Sequence, residues 1–222
     1  MDPILDHYNA LAKDYDADRF GNSYGQFIDR QERQVLNRLI KDNNDTIVDL
    51  ACGSGRLLNY AMYGVDGSSE MVHIAKRKFP NKDVFLSDAG TLPFDDASID
   101  VIISFHFFMH LEEPKIANIL AECHRVLRQG GRVIFDIPSK KRRRLFNYKS
   151  NGWHGATGFS FNEINEITRG KFKVRSAFGL MFFPIHRFPK GLRRFIGKAD
   201  ALIANSFLKE YSSYFVVECV KL

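Results

Sequence analysis

Four places in this 222-residue sequence put residues that can hold or activate a ligand directly after a short run of aliphatic residues. Asp49 lies inside TIVDL (46–50), and Ala51-Cys52-Gly53-Ser54-Gly55-Arg56 follows it. Glycines at 53 and 55 let the backbone turn sharply and approach a ligand, with the free amides of a following helix start facing it. Asp66 ends MYGVD (62–66), where a carboxylate can accept hydrogen bonds from both hydroxyls of a ribose. Asp88-Ala89 comes after DVFL (83–86), and a carboxylate there can accept from an adenine amino group. Ser104-Phe105-His106 closes IDVIIS (99–104). A lone Gly-x-Gly is weak evidence, and any one of these acids could be a helix cap or a turn former. Jointly, in register with strand ends, they are hard to explain that way.

The elements that must position them alternate in period. The runs above, GRVIFDI (131–137), KFKVRSAFGL (171–180) and SYFVVECV (213–220) read as strands. Helical spacing appears around Arg56–Ala61, Ser69–Lys78 and Pro114–Leu127, the last ending at Gly130-Gly131, where glycine suits a left-handed cap. Nearly all-apolar strands alternating with helices predict an α/β, doubly wound, mostly parallel sheet covered on both faces. Ahead of it, the first forty residues read as two amphipathic helices broken at Gly21-Asn22. After Ile137 the sequence predicts a basic loop and a short helix near Asn162–Ile167. A helical insertion carrying Leu192, Phe195, Ile196, Ala199, Leu202 and Ile203 then precedes the last strand, read either as a substrate cap or as an extra core-packing helix.

With these motifs in order, VDLACGSGRLL (48–58), YGVDGSSEMVHIAK (63–76), FLSDAGTLPFDDASIDVIIS (85–104) and ECHRVLRQGGRVIFDIP (122–138), the chain resembles the class I S-adenosylmethionine-dependent methyltransferases, especially their small-molecule branch of quinone and sugar enzymes. The resemblance implies a Rossmann-like seven-stranded sheet with an antiparallel last strand. It implies that Asp49, Ala51, Gly53 and Gly55 surround the methionine part of the cofactor, with Asp66 and Gly67 at the ribose. Met71 would lie against the adenine, Asp88 and Ala89 at its edge, and Ser104 beneath the sulfonium. The acceptor it implies is a small molecule, or one linked to a lipid or glycan. The segment from Gly55 to Val65 is shorter than usual for the family, which predicts a first crossover helix of about two turns.

Methyl transfer to oxygen benefits from a general base with pKa near the working pH, most often histidine. His106, two residues past the fourth strand, is best placed for it, and reads otherwise as a histidine that packs locally. Tyr15, Arg19 and Tyr24 lie where family members carry an N-terminal lid. The three cysteines, Cys52, Cys123 and Cys219, are scattered without metal-ligand spacing, and no metal is expected. A single domain follows from the length, with residues 1–42 as lid, 43–138 as cofactor-binding core and 139–222 on the substrate side. Three scattered cysteines, no readable signal peptide and no long apolar run predict a cytoplasmic protein without a transmembrane segment.

Net charge is +6, yet residues 138–198 hold 15 Lys and Arg against 2 Asp and Glu. Within them, Lys140, Lys141, Arg142, Arg143 and Arg144 read either as a solvated loop or as a contact for an anionic substrate or surface. Three rivals are weaker. A nicotinamide dehydrogenase wants a third glycine where Leu58 stands. A nucleic-acid methyltransferase is favoured by the basic run, but the fourth-strand loop SFHF has no Pro-Pro-aromatic motif and the sequence no Pro-Cys pair. The third is a cofactor-binding module without catalysis.

Overall fold

Short Val- and Ile-rich runs become parallel strands because neither face of them meets water. The computed structural model describes residues 3–41, 44–150, 152–189 and 191–222; the expected lid boundary at 42/43 lies outside them. The strands are β1 (Ile47–Leu50), β2 (Tyr63–Asp66), β3 (Asp83–Leu86), β4 (Ile99–Ser104), β5 (Leu127–Pro138), β6 (Phe172–Leu180) and β7 (Tyr214–Lys221). They form one sheet in the order β3-β2-β1-β4-β5-β7-β6. Only β7 is antiparallel to its neighbours. The order reverses between β1 and β4, which pair in register Asp49↔Ile103. A crevice therefore opens beyond the carboxyl ends of these two strands.

Alternate residues send their side chains to two cores. Val48, Leu50, Ile102 and Val133 meet α5 (Glu113–Val126) through its Ile116, Ile119, Leu120, Cys123 and Val126. On the other face Ile47, Val101, Ile103 and Ile134 meet α3 (Ser23–Leu39) through Ile28, Val35 and Leu36. Burying one such side chain contributes about 1.5–3 kcal/mol. The remaining helices are α1 (Pro3–Leu11), α2 (Tyr15–Phe20), α4 (Ser69–Lys78), α6 (Lys140–Leu145), α7 (Phe161–Thr168) and α8 (Arg193–Ala204).

Four local expectations are corrected. The first amphipathic stretch is two helices, because the chain turns between Leu11 and Asp14. Arg56–Ala61 is a series of four-residue turns, with Leu58 N donating to Gly55 O, Tyr60 N to Leu57 O and Ala61 N to Leu58 O; the segment is too short for a helix between β1 and β2. α5 stops at Val126, so Gly130, at φ +74°, lies within β5 where its pairing with β4 shifts register, and does not cap the helix. Lys140–Leu145 is helical, nucleated by Ser139, whose hydroxyl accepts from Arg142 N.

Candidate active site

The chain leaves β1 and β4 in parallel fashion. Ala51 and His106 follow the strand ends, and both adopt left-handed backbone at φ +56° and +57°, which costs a residue with a side chain roughly 1–2 kcal/mol. The His106 turn is fixed by its own amide, which donates to Asp136 Oδ1 at 2.6 Å. Gly53 and Gly55, also left-handed, complete the β1 turn. A Cβ on Gly53 would meet nothing nearer than Met71 Sδ at 4.0 Å, so that side faces open cleft. On Gly55 it would press Leu58 and Phe79 at 3.0 Å, so this glycine serves the packing behind the turn.

Along the cleft, Asp66 Oδ2 accepts from Gly53 N at 2.7 Å and Oδ1 from Ser68 N at 2.8 Å. Each carboxylate oxygen offers about two lone-pair sites, so even with the Gly67 amide also facing it the carboxylate keeps accepting capacity for a ribose hydroxyl. Leu50, Met71 and Ala89 make the apolar walls, Gly67 lies beside Asp66, and Asp88, whose Oδ1 accepts from Gly90 N at 2.7 Å, stands at the far edge. At the other end lie Asp49, Ser54 and Arg56. Burial pushes the Asp49 carboxyl up to about 7, and its Oδ2 has no hydrogen-bond partner. That orphaned carboxylate fits the positive charge of an amino-acid moiety. This lining suits S-adenosylmethionine: a ribose would meet the free lone pairs of Asp66, the base the walls of Met71 and Ala89, and the cationic end Asp49.

Helices α1 and α2 cross the cleft. Asn9 Oδ1 accepts from Ser68 Oγ at 2.6 Å, Asp16 accepts from Ser54 and pairs with Lys78, and Leu5 packs on Gly67. Tyr8 meets His110 across 3.0 Å at Nε2. Gly155 N donates to His110 Nδ1 at 3.0 Å, which puts the ring proton on Nε2, and burial lowers the His110 pKa to about 3. Gly155 is itself held by Arg143, whose guanidinium donates to the carbonyls of Gly155, Ala156 and Thr157.

A second cavity of about 360 Å³ adjoins the cleft. Tyr8, Tyr15, His106 and His110 border both spaces, while Arg19, Tyr148 and Tyr214 belong to the second alone. No acid among the described residues lies within ion-pair distance of Arg19, although Asp18 is on the rim. Its guanidinium sits 5.8 Å from the ring centres of Phe20 and Tyr24.

His106 is buried in a charged layer that sequence reasoning missed. Its Nε2 is 2.8 Å from Glu32 and its Nδ1 3.4 Å from Asp136, though neither contact is an aligned hydrogen bond. Arg56 pairs with the same Glu32 at 2.8 Å. His106 and Arg56 hold Glu32 below the usual carboxylate range despite its burial, whereas burial raises Asp136. The three side chains Glu32, His106 and Asp136 converge closely enough to ligate a cation, but Arg56 already supplies positive charge there. The signals were an acid within the apolar strand GRVIFDI and Glu32 on the inner stripe of α3.

Of the expected site residues, Asp49, Ala51, Gly53, Asp66, Gly67, Met71, Asp88, Ala89, Tyr15 and His106 line the cleft. Arg19 lines the second cavity. Ser104 is fully buried beneath the cleft with its hydroxyl unpartnered, Gly55 lies behind the turn, and Tyr24 stands behind Arg19 against His186. α8 borders a separate groove with α3 and not the second cavity.

Comparison with known proteins agrees with this geometry. Residues 48–135 match the model of a methyltransferase domain. An uncharacterized protein of Methanocaldococcus jannaschii is 39% identical over 137 residues, 60% of this chain and 51% of that protein, so the match spans about half of its length. The demethylmenaquinone methyltransferase of Thermotoga maritima is 29% identical over 70% of this chain and 72% of its own. An S-adenosylmethionine-dependent methyltransferase structure from Thermotoga maritima superposes with TM-score 0.72 at 19% identity, covering 97% of this chain and 98% of the other. The Synechocystis magnesium protoporphyrin IX methyltransferase, solved with bound S-adenosylmethionine, gives 0.66 at 16% identity over 99% of this chain and 95% of the other. Strand order, cleft and matched sequence together make residues 48–135 a methyltransferase domain of the class I S-adenosylmethionine-dependent kind.

Proposed function

We propose that the protein transfers a methyl group from S-adenosylmethionine to an oxygen or nitrogen of a small, or lipid- or glycan-linked, acceptor held in the cavity beside the cofactor cleft. When bound, the sulfonium supplies an already electrophilic methyl, so the protein's task is to hold the acceptor in line and take its proton. Arg19 carries the reading. It is a half-buried cation facing that cavity with no acid within ion-pair distance among the described residues. An anionic or carbonyl oxygen on the acceptor satisfies it. His106 borders cleft and cavity, but both its ring nitrogens are buried against Glu32 and Asp136. To take the acceptor proton it must turn one of them into the cavity, and the acid left beside the other stabilises the imidazolium.

The test is S-adenosylhomocysteine release with paired acceptors, each an acid and its neutral ester, followed by mass spectrometry of the product. Arg19→Gln should raise the KM of the acidic member at least tenfold while cofactor affinity holds. His106→Gln should cut kcat about 100- to 10,000-fold. Methyl found on carbon, or an Arg19→Gln enzyme that treats acid and ester as the wild type does, overturns the assignment.

A further inference from the structure

α8 presents two unlike faces. Inward, Asp200 accepts from Gln31 Nε2 at 2.7 Å and from Phe183 N at 2.6 Å, and Ala204 is buried. Outward, Phe195 and Leu202, two turns apart on one side, are 73% and 77% exposed. The short 3-10 helix Phe207–Tyr211 packs against α8 and leaves Phe207 89% exposed. α6 docks on that same short helix through the Lys141–Glu210 ion pair and the bond from Arg142 to Tyr211 O, and it ends in exposed Leu145 and Phe146 beside exposed Arg144. Arg187 and Lys198 are exposed nearby. Residues 171–211 contain nine basic residues and two acids, and both acids are engaged: Asp200 inside the protein, Glu210 with Lys141.

We propose that this face seats on an anionic lipid surface, with Phe195, Leu202 and Phe207 entering the acyl boundary and the cations meeting the headgroups. Basic residues set around protruding Phe and Leu are the composition of an interfacial anchor, the cations attracting acidic lipids and the apolar tips adding depth. Three separate, nearly free side chains are shaped for a layer without fixed structure; they do not form the groove that a folded partner fills. An RNA strand would use the cations and stack on the aromatics, but it gives Leu202 nothing. The 12 residues of α8 are too few to span a bilayer, and no helix among the described residues is long and apolar enough to do so. From this face α6 leads to Tyr148, which lines the acceptor cavity, so a bound surface would lie beside its mouth. The proposal stands whichever atom is methylated.

Sedimentation of the whole protein with vesicles decides it. Vesicles of equal phosphatidylglycerol and phosphatidylcholine should bind it at least tenfold more tightly than phosphatidylcholine alone, and 1 M salt should weaken that binding several-fold. The triple variant Phe195→Glu, Leu202→Glu, Phe207→Glu should lose tenfold or more, while Met62→Glu with Leu86→Glu, exposed on the opposite edge of the sheet, should bind as the wild type does. Arg187→Gln with Lys198→Gln should remove part of the preference for phosphatidylglycerol without altering the fold. Failure to bind either vesicle, equal binding to both, or a triple variant that binds like the wild type would refute the proposal. So would a random RNA oligomer whose affinity falls in the triple variant as much as that of vesicles.

Discussion

Asp49 stores a proton that the cofactor should expel. Its folded-state pKa, about 7, lies above the usual carboxyl value because burial opposes the charged form. The sign follows: stability from this group is complete below about pH 4 and is lost as pH rises through 7. A ligand ammonium beside it would pull the pKa down. Calorimetric titration with S-adenosylhomocysteine at pH 7 should therefore show about half a proton released, read as heat that scales with the ionisation enthalpy of the buffer. Asp49→Asn should bind with no buffer dependence. Heat independent of buffer in the wild type would mean Asp49 is already ionised. Asp49, Asp66 and Asp88 were legible in the sequence because each is tied to a strand end, and strand ends are where a doubly wound sheet exposes polar groups. Glu32 and Asp136 were not, since their position among apolar residues gives no hint of which charge answers them; only the fold brings His106 and Arg56 to them.

Among elements, the relay from α6 to α1 has the sharpest consequences. Arg143 fixes the Gly155 loop through three carbonyls, Gly155 sets the His110 tautomer, and His110 holds Tyr8 on α1. Arg143→Gln should destabilise by about 2 kcal/mol in urea unfolding, since hydrogen bonds to charged groups contribute roughly 1.5–3 kcal/mol. Arg144→Gln, exposed, should stay within about 0.5 kcal/mol. Equal midpoints for the two variants would make the carbonyl contacts energetically idle. Because the His110 pKa is lowered to about 3, its contribution is present above about pH 6.5 and declines as pH falls toward 3. Amide exchange in α1, corrected for intrinsic rates, should be faster at pH 5 than at pH 7, and in Tyr8→Phe the two should converge. Periodicity revealed α3, α4, α5 and α8 because each has one apolar stripe. It could not reveal that Lys140–Leu145 coils, where no residue is buried and a serine cap decides.

At the scale of the whole molecule, charge is sorted as the sequence implied, but the five consecutive cations are mostly committed. Lys140 and Lys141 pair with Glu163 and Glu210, and Arg142 and Arg143 bind carbonyls. Replacing all five would loosen the fold as well as lower the surface charge, so their effect on any anionic partner has to be read from Arg144 and the cations around α8. The seven-stranded, mostly parallel sheet and its antiparallel β7 followed from strand patterning and resemblance together; the strand order did not, since patterning cannot say which strand enters between β5 and β6.

The layer joining Asp29, Glu32 and Arg33 of α3 to Arg56, His106 and Asp136 also says where this chain can be cut. α1 and α2 bury no residue within their own spans and are tied down by side-chain bonds, whereas α3 neutralises charges inside the sheet's own core. A protease offered the native protein should nick the chain between Leu11 and Asn22 and leave a resistant body that begins with α3 and keeps its cooperative unfolding. Cleavage beyond Leu39 should instead strand Arg56 and His106 without Glu32 and collapse the remainder. The unit that folds as one thus starts at α3, ahead of the first strand.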